Sequence, residues 1–171
     1  METWDAIRAR RNVRTYLTDP VSDADLNLIA EAAWRAPSAS NRQEWNFIIV
    51  TDRDQLEALS TTWQGAGHVA GAAAAIALVV PQYEDERPRL TSRYDLGQAT
   101  YAIMLAAADL GIGTGQASVR DQEKAREILG VPGDHDVAYL VDLGYPADRP
   151  LKPIVKPKRL PFNEVVRHGH W

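Results

Sequence analysis

Four arginines within seven residues, Arg8, Arg10, Arg11 and Arg14 of "RARRNVR", are the first group in the chain that could do chemistry. Planar guanidinium forks match phosphate oxygens in charge and geometry, so two or three that converge make a dianion site. They also follow a short helix candidate, Thr3 to Ala9, where cations relieve the dipole of a helix end; solvated charge is the competing reading. "KPKRLP" supplies further cations, Lys158 and Arg159, far along the chain. A second group is "APSASNRQEWNF" at 36–47, which gathers Pro37, two serines, Asn41, Arg42 and Gln43 where a helix must give way to a strand. Such a corner raises the question of what flat or polar thing it serves. A third is "LGIGTGQASVRD" at 110–121. Gly111, Gly113 and Gly115 let a backbone approach a ligand closely, and Thr114, Gln116 and Ser118 add donors. Its alternative reading is a helix C-cap followed by a tight turn.

Several chemistries are excluded at once. The chain has no cysteine, so disulfides, thiolate catalysis and thiolate metal sites are all ruled out. Any redox chemistry must then be carried by a bound cofactor. No G-x-G-x-x-G follows a strand, "GAGHVAG" at 65–71 has the wrong spacing, and no GxxxxGK[ST] loop occurs. His68 and His135 fit structural or exposed roles, and the His168/His170 pair lacks the further ligands that a metal needs. A formal charge of −4 gives no general attraction to nucleic acid or anionic membrane. The most apolar run, "VAGAAAAIALVV", has 12 residues and is too short to cross a bilayer. The N-terminal residues lack a signal-peptide core, which makes the cytoplasm the expected location.

The elements that must position these groups alternate along one domain of 171 residues. Ser22 with Asp25 approximates a capping box, and Leu26, Ile29, Ala30 and Ala33 recur at helical spacing until Pro37. A strand at 46–51, a helix at 53–62, a strand at 75–80 and a long helix at 91–110 follow. A helix ended by Gly130 and a strand over "DVAYLVDLGY" close the domain at residue 145. The tail, 146–171, carries Pro146, Pro150, Pro153, Pro157 and Pro161 and reads as an extended arm. Its apolar residues Leu151, Ile154, Val155, Leu160 and Phe162 favour lying on a surface, such as that of another protomer.

Taken in order, "RRNVRTY", "APSASNRQEW", the long helix running into "LGIGTGQAS", and "KPKRLPFNEVV" resemble the nitroreductase family of FMN-dependent oxidoreductases. The resemblance implies an α+β fold: a three-layer α-β-α sandwich with a mixed, mainly antiparallel sheet, working as a homodimer with FMN at its interface. It places Arg10, Arg11, Asn12 and Arg14 in the FMN site, with Arg10 and Arg159 on the phosphate. Pro37, Ser38, Ala39 and Asn41 would line the ring from the neighbouring subunit. Gln116, Ala117 and Ser118 would approach the N5 edge. The polar corner is thereby explained as packing against a planar, polar-edged ring.

The implied activity is hydride transfer from NADH or NADPH through flavin N5 to a small organic acceptor, by ping-pong turnover. It requires no side-chain acid or base. Other flavin chemistry on the same fold (dehalogenation, substrate oxidation, flavin fragmentation) and simple FMN storage are alternatives, because fold does not fix function. Two departures from the family pattern are Asn12 for its serine and Glu44 for its proline. Trp45 is expected to pack rather than react. The short chain between 60 and 95 leaves little sequence for a lid, which implies an open pocket.

Overall fold

The apolar stretch "AAIALVV" can be so uniform because both faces of its strand are covered. In the computed structural model, which describes residues 1–171, Ala74–Pro81 is the second strand (β2) of a four-stranded sheet. The others are β1 (Asn46–Val50), β3 (Gly113–Ser118) and β4 (His135–Gly144), in the spatial order β1-β2-β4-β3. All three pairings are antiparallel, and an isolated parallel bridge joins Asn12 to Thr114 outside β3. The sheet is thus mainly antiparallel with one parallel contact, as expected.

Successive β2 side chains point to opposite faces. Ala74, Ile76, Leu78 and Val80 join one apolar cluster with Leu26 and Ile29 of α2 (Asp23–Trp34) and with Leu96 and Ile103 of α4 (Glu86–Asp109). Ala75, Ala77 and Val79 join a second with Leu56 and Leu59 of α3 (Arg53–Ser60) and Ala125 of α5 (Gln122–Leu129). Helices on both faces of one sheet give the three-layer sandwich. The helix ends follow the sequence signals: Ser22, Asp52 and Asp121 each accept a backbone N–H two or three residues into their helix, and Gly130 closes α5 in the left-handed region at φ 64°.

Three boundaries differ from the sequence reading. The long helix starts at Glu86 rather than 91, because Pro88 falls in the first turn, where its missing N–H would have had no partner. The glycine-rich segment 113–118 is a strand, not a turn. Its glycines admit the protein's own groups: a Cβ on Gly113 would stand 2.7 Å from Val13 Cγ2, and one on Gly115 would stand 2.6 Å from Asp142 Oδ2 and 2.7 Å from the Val13 carbonyl. The arm is not wholly extended, since Phe162–Val165 makes one short helical turn, α6.

The N-terminal segment after α1 (Thr3–Ala9) runs beside β3 and also receives the arm. Val13 N–H donates to the Thr114 carbonyl at 2.8 Å. Ala147 N–H donates to Thr15, Ile154 N–H donates to Arg8, and Arg11 Nη2 donates to the Lys152 carbonyl at 2.7 Å. Beyond residue 154 the arm leaves the protomer, and Val155, Leu160, Phe162 and Val165 are exposed.

Candidate active site

β3 is an edge strand, and only its first residues are covered. Because the Thr114 carbonyl faces outward to Val13, the strand's alternation turns the N–H and C=O of Gln116 and Ser118 outward as well. Two clefts meet along this open edge at Gln116 and Tyr139. One, of about 350 Å³, is lined by Arg10, Tyr101, Met104 and Gln116. The other, of about 540 Å³, is lined by Asn12, Arg14, Trp63, His68, Ala117 and Ser118.

Arg10 is positioned rather than free. Its guanidinium lies over the Tyr101 ring at 5.5 Å from the centroid and its Nη1 contacts Met104 Sδ at 4.0 Å. Its Nε is buried without a partner, and no carboxylate neutralises it. Arg14 is exposed in the second cleft. The continuous depression therefore has guanidinium groups in both of its clefts and outward backbone groups along the β3 edge where they meet.

The structure thus brings together six of the expected site residues: Arg10, Asn12, Arg14, Gln116, Ala117 and Ser118. Arg11 stands aside, its head group spent on the arm and on the Ala9 carbonyl. Pro37, Ser38, Ala39 and Asn41 line neither cleft of their own protomer. Their corner is fastened to α4, where Ala39 N–H donates to Asp95 Oδ2 at 3.0 Å. Ser40, Asn41 and Gln43 hold positive φ values of 53°, 54° and 54°, an uncommon state for non-glycine residues that concentrates where shape matters. Arg159 is exposed on the arm and bonds only the Lys158 carbonyl. Glu44 is matched by Arg42 Nε at 3.3 Å and the Tyr83 hydroxyl at 3.2 Å, so its charge is partnered within the corner. Trp45 packs against the first core cluster and lies 5.8 Å from Phe47, ring to ring.

Sequence reasoning missed the group under the second cleft. Asp142 of β4 is completely buried, and its Oδ2 accepts from the Tyr16 hydroxyl at 2.6 Å and from His68 Nδ1 at 2.8 Å. His68 is nearly enclosed at 8% side-chain exposure, and its Nε2 has no protein partner. The one available signal was an aspartate inside the apolar strand "VAYLVDLGY", since a buried carboxylate must be paired. Burial first, and then the Asp142 charge, hold the Tyr16 hydroxyl protonated far above the usual tyrosine range. Unfolded tyrosine ionises near pH 10 and the folded residue does not, so this contribution is intact below pH 10 and wanes above it. The loss approaches about 1.4 kcal/mol per pH unit. Denaturant melts at about pH 8 and about pH 11 are expected to show the slope in the wild type and its absence in Tyr16→Phe.

A three-layer α+β sandwich whose edge strand carries an arginine-lined cleft is the class of protein these features define. The sequence profile described as the Nitroreductase family matches residues 7–71 and 60–145, and the chain belongs to that family. A protein of Archaeoglobus fulgidus, provisionally named NADH dehydrogenase/NAD(P)H nitroreductase, is 38% identical over 146 residues, covering 83% of this chain and 84% of that protein. The oxygen-insensitive NADPH nitroreductase of Salmonella typhimurium is 31% identical over 183 residues, covering 99% of this chain and 74% of its own length. The solved structure of an FMN-dependent nitroreductase from Clostridium difficile superposes with a TM-score of 0.84 at 25% identity, covering 97% of this chain and 98% of that one.

FMN fits this site on the protein's own terms. Uncompensated guanidinium charge at Arg10, with a buried nitrogen lacking a partner, suits a phosphate tail. The outward N–H and C=O groups of the β3 edge and the Arg14 side chain suit the polar rim of a flat ring.

Proposed function

We propose that the protein is an FMN-dependent oxidoreductase that takes hydride from NADH or NADPH and reduces a small organic acceptor, such as a nitroaromatic or a quinone. The observation that carries this reading is the junction at Gln116 and Tyr139 of two clefts, one lined by Arg10 and the other by Arg14. When bound, FMN would supply the hydride chemistry of a ping-pong cycle. The protein's own groups orient and stabilise. Arg10 would hold the phosphate, with Arg159 of the arm as its second partner. Arg14 would favour negative charge at the polar end of the ring, and the outward N–H groups of Gln116 and Ser118 would provide donors in a fixed direction. Between β2 and α4 only residues 82–85 intervene, too few for a helical lid, which supports an open pocket and broad acceptor choice.

The working unit in this reading is a homodimer. Tyr94 and Tyr101 on α4 and the apolar residues of the arm from Val155 to Val165 are exposed on a single protomer. Their burial against a second copy would bring the 37–41 corner over the partner's ring. The test is the visible spectrum of the purified protein before and after anaerobic addition of NADPH and then NADH, with sedimentation on the same sample. A flavin spectrum that bleaches, carried on a dimer, is expected. Flavin that neither nucleotide reduces would sink the reductase reading, and a monomer retaining FMN would sink the shared site.

A further inference from the structure

A third cleft of about 440 Å³ opens beside the two that meet at β3, and its charge runs against that of the whole molecule. Arg89 and Arg93 of α4 line it together with Arg120, just past β3. These arginines are poorly neutralised. Arg89 has only the exposed Glu86 at 3.7 Å, Arg93 reaches only the Tyr139 hydroxyl at 3.4 Å, and the Arg120 side chain has no partner. The one carboxylate in the lining, Asp136, is already engaged by Arg126 at 3.3 Å and by Gln82 at 2.9 Å. In a chain of net charge −4, three guanidinium groups around one concavity, offset only by the exposed Glu86, form a local anion site.

This cleft also adjoins the other two. Tyr139 lines all three clefts, Arg93 is shared with the Arg10 cleft, and Ser118 with the Arg14 cleft. A molecule whose reactive ring lies at the Gln116–Ser118 edge can therefore extend directly into the arginine cleft. NADH and NADPH have this form, a flat nicotinamide joined to a pyrophosphate. Resting on the flavin reading above, we propose that Arg89, Arg93 and Arg120 anchor the phosphate groups of the nicotinamide dinucleotide while its ring visits the flavin. The fork geometry of arginine, with five fixed donors each, suits a pyrophosphate that must be held and then released each cycle. An acidic acceptor would satisfy the same guanidinium chemistry, so the test must separate the two sources.

The double variant Arg89→Gln/Arg120→Gln removes two exposed cations that line neither flavin cleft, so FMN occupancy, read by visible absorbance, is expected to be unchanged. Two readouts apply to the FMN-loaded protein. Calorimetric titration with NADP⁺ is expected to show affinity lowered about tenfold to a hundredfold, the scale of one or two lost charge-assisted contacts. The rate of anaerobic bleaching by limiting NADPH should fall correspondingly, whereas bleaching by N-benzyl-1,4-dihydronicotinamide, which carries the reducing ring without phosphate, should not change. Unchanged NADP⁺ affinity would overturn the proposal, as would equal slowing with both reductants. So would a loss confined to p-nitrobenzoate relative to neutral nitrobenzene, which would assign the arginines to an acidic acceptor instead. Wild-type protein without a flavin spectrum would defeat the flavin reading alone. Titration of that same protein with inorganic pyrophosphate would still read the anion site, and equal binding by wild type and variant would overturn it.

Discussion

Asp142→Ala is expected to destabilise the fold by about 3–5 kcal/mol, the worth of two hydrogen bonds made to one buried carboxylate. The carboxylate has no exposure to water and holds both the Tyr16 hydroxyl and His68 Nδ1. Without it, Tyr16 keeps the Val13 carbonyl at 2.8 Å, but His68 has no partner on either ring nitrogen inside a nearly closed site. For a protein of this size the melting temperature should fall by about 6–20 °C. Asp142→Asn keeps the shape and one acceptor, so its loss should be about 1–3 kcal/mol. The decisive comparison is a double-mutant cycle with His68→Ala. A coupling above about 0.5 kcal/mol supports the pair, and simple additivity would show that the two side chains do not stabilise one another. The damage should also reach β3, because Gly115 packs directly on the Asp142 oxygens and on the Val13 carbonyl.

That cluster shows where sequence reading stops. Caps and periodicity were legible because they are local: Ser22, Asp52, Gly130 and the α2 stripe act within a few residues of themselves. The ordered motifs also led to the family, and Arg10, Asn12 and Arg14 of "RRNVR" and Gln116, Ala117 and Ser118 of "GQAS" do line one depression. What was not legible depends on contacts between distant residues. Gly113 and Gly115 suggested a ligand's close approach, yet their nearest neighbours are Val13 and Asp142, which no spacing rule connects to them. The segment is a strand because β4 pairs with it along its full length, a tertiary effect that outweighs the low strand preference of glycine. Likewise the arginine cleft joins residues 89, 93 and 120, whose proximity exists only once α4 and the end of β3 are side by side. The corner at 37–41 remains a residue-type signal, because in one protomer it contacts α4 and neither cleft.

The largest functional effect is expected at Arg10. Its charge is uncompensated, its ring contact with Tyr101 restrains the guanidinium before any ligand arrives, and its Nε has no other bond to make. Such preorganisation lowers the entropy lost on binding, so most of the interaction with a phosphate would be realised as affinity. Arg10→Ala should therefore weaken FMN binding by about 3 kcal/mol, or about a hundredfold in Kd, the worth of one or two charge-assisted hydrogen bonds. Arg10→Lys should fall between the two, because a point charge replaces the fork. Quenching of FMN fluorescence during titration of flavin-free protein gives each Kd, and thermal melts of the same samples check the fold. Without FMN the Ala variant should melt close to wild type, since the contacts it loses are a partly exposed aromatic face and a weak sulfur acceptor. Wild-type flavin affinity in Arg10→Ala would remove the phosphate from this end of the cleft and leave Arg14 as the alternative anchor. A loss that rises as salt is lowered would instead carry the signature of a charge pair, since screening by salt weakens the wild-type contact and leaves the variant little to lose.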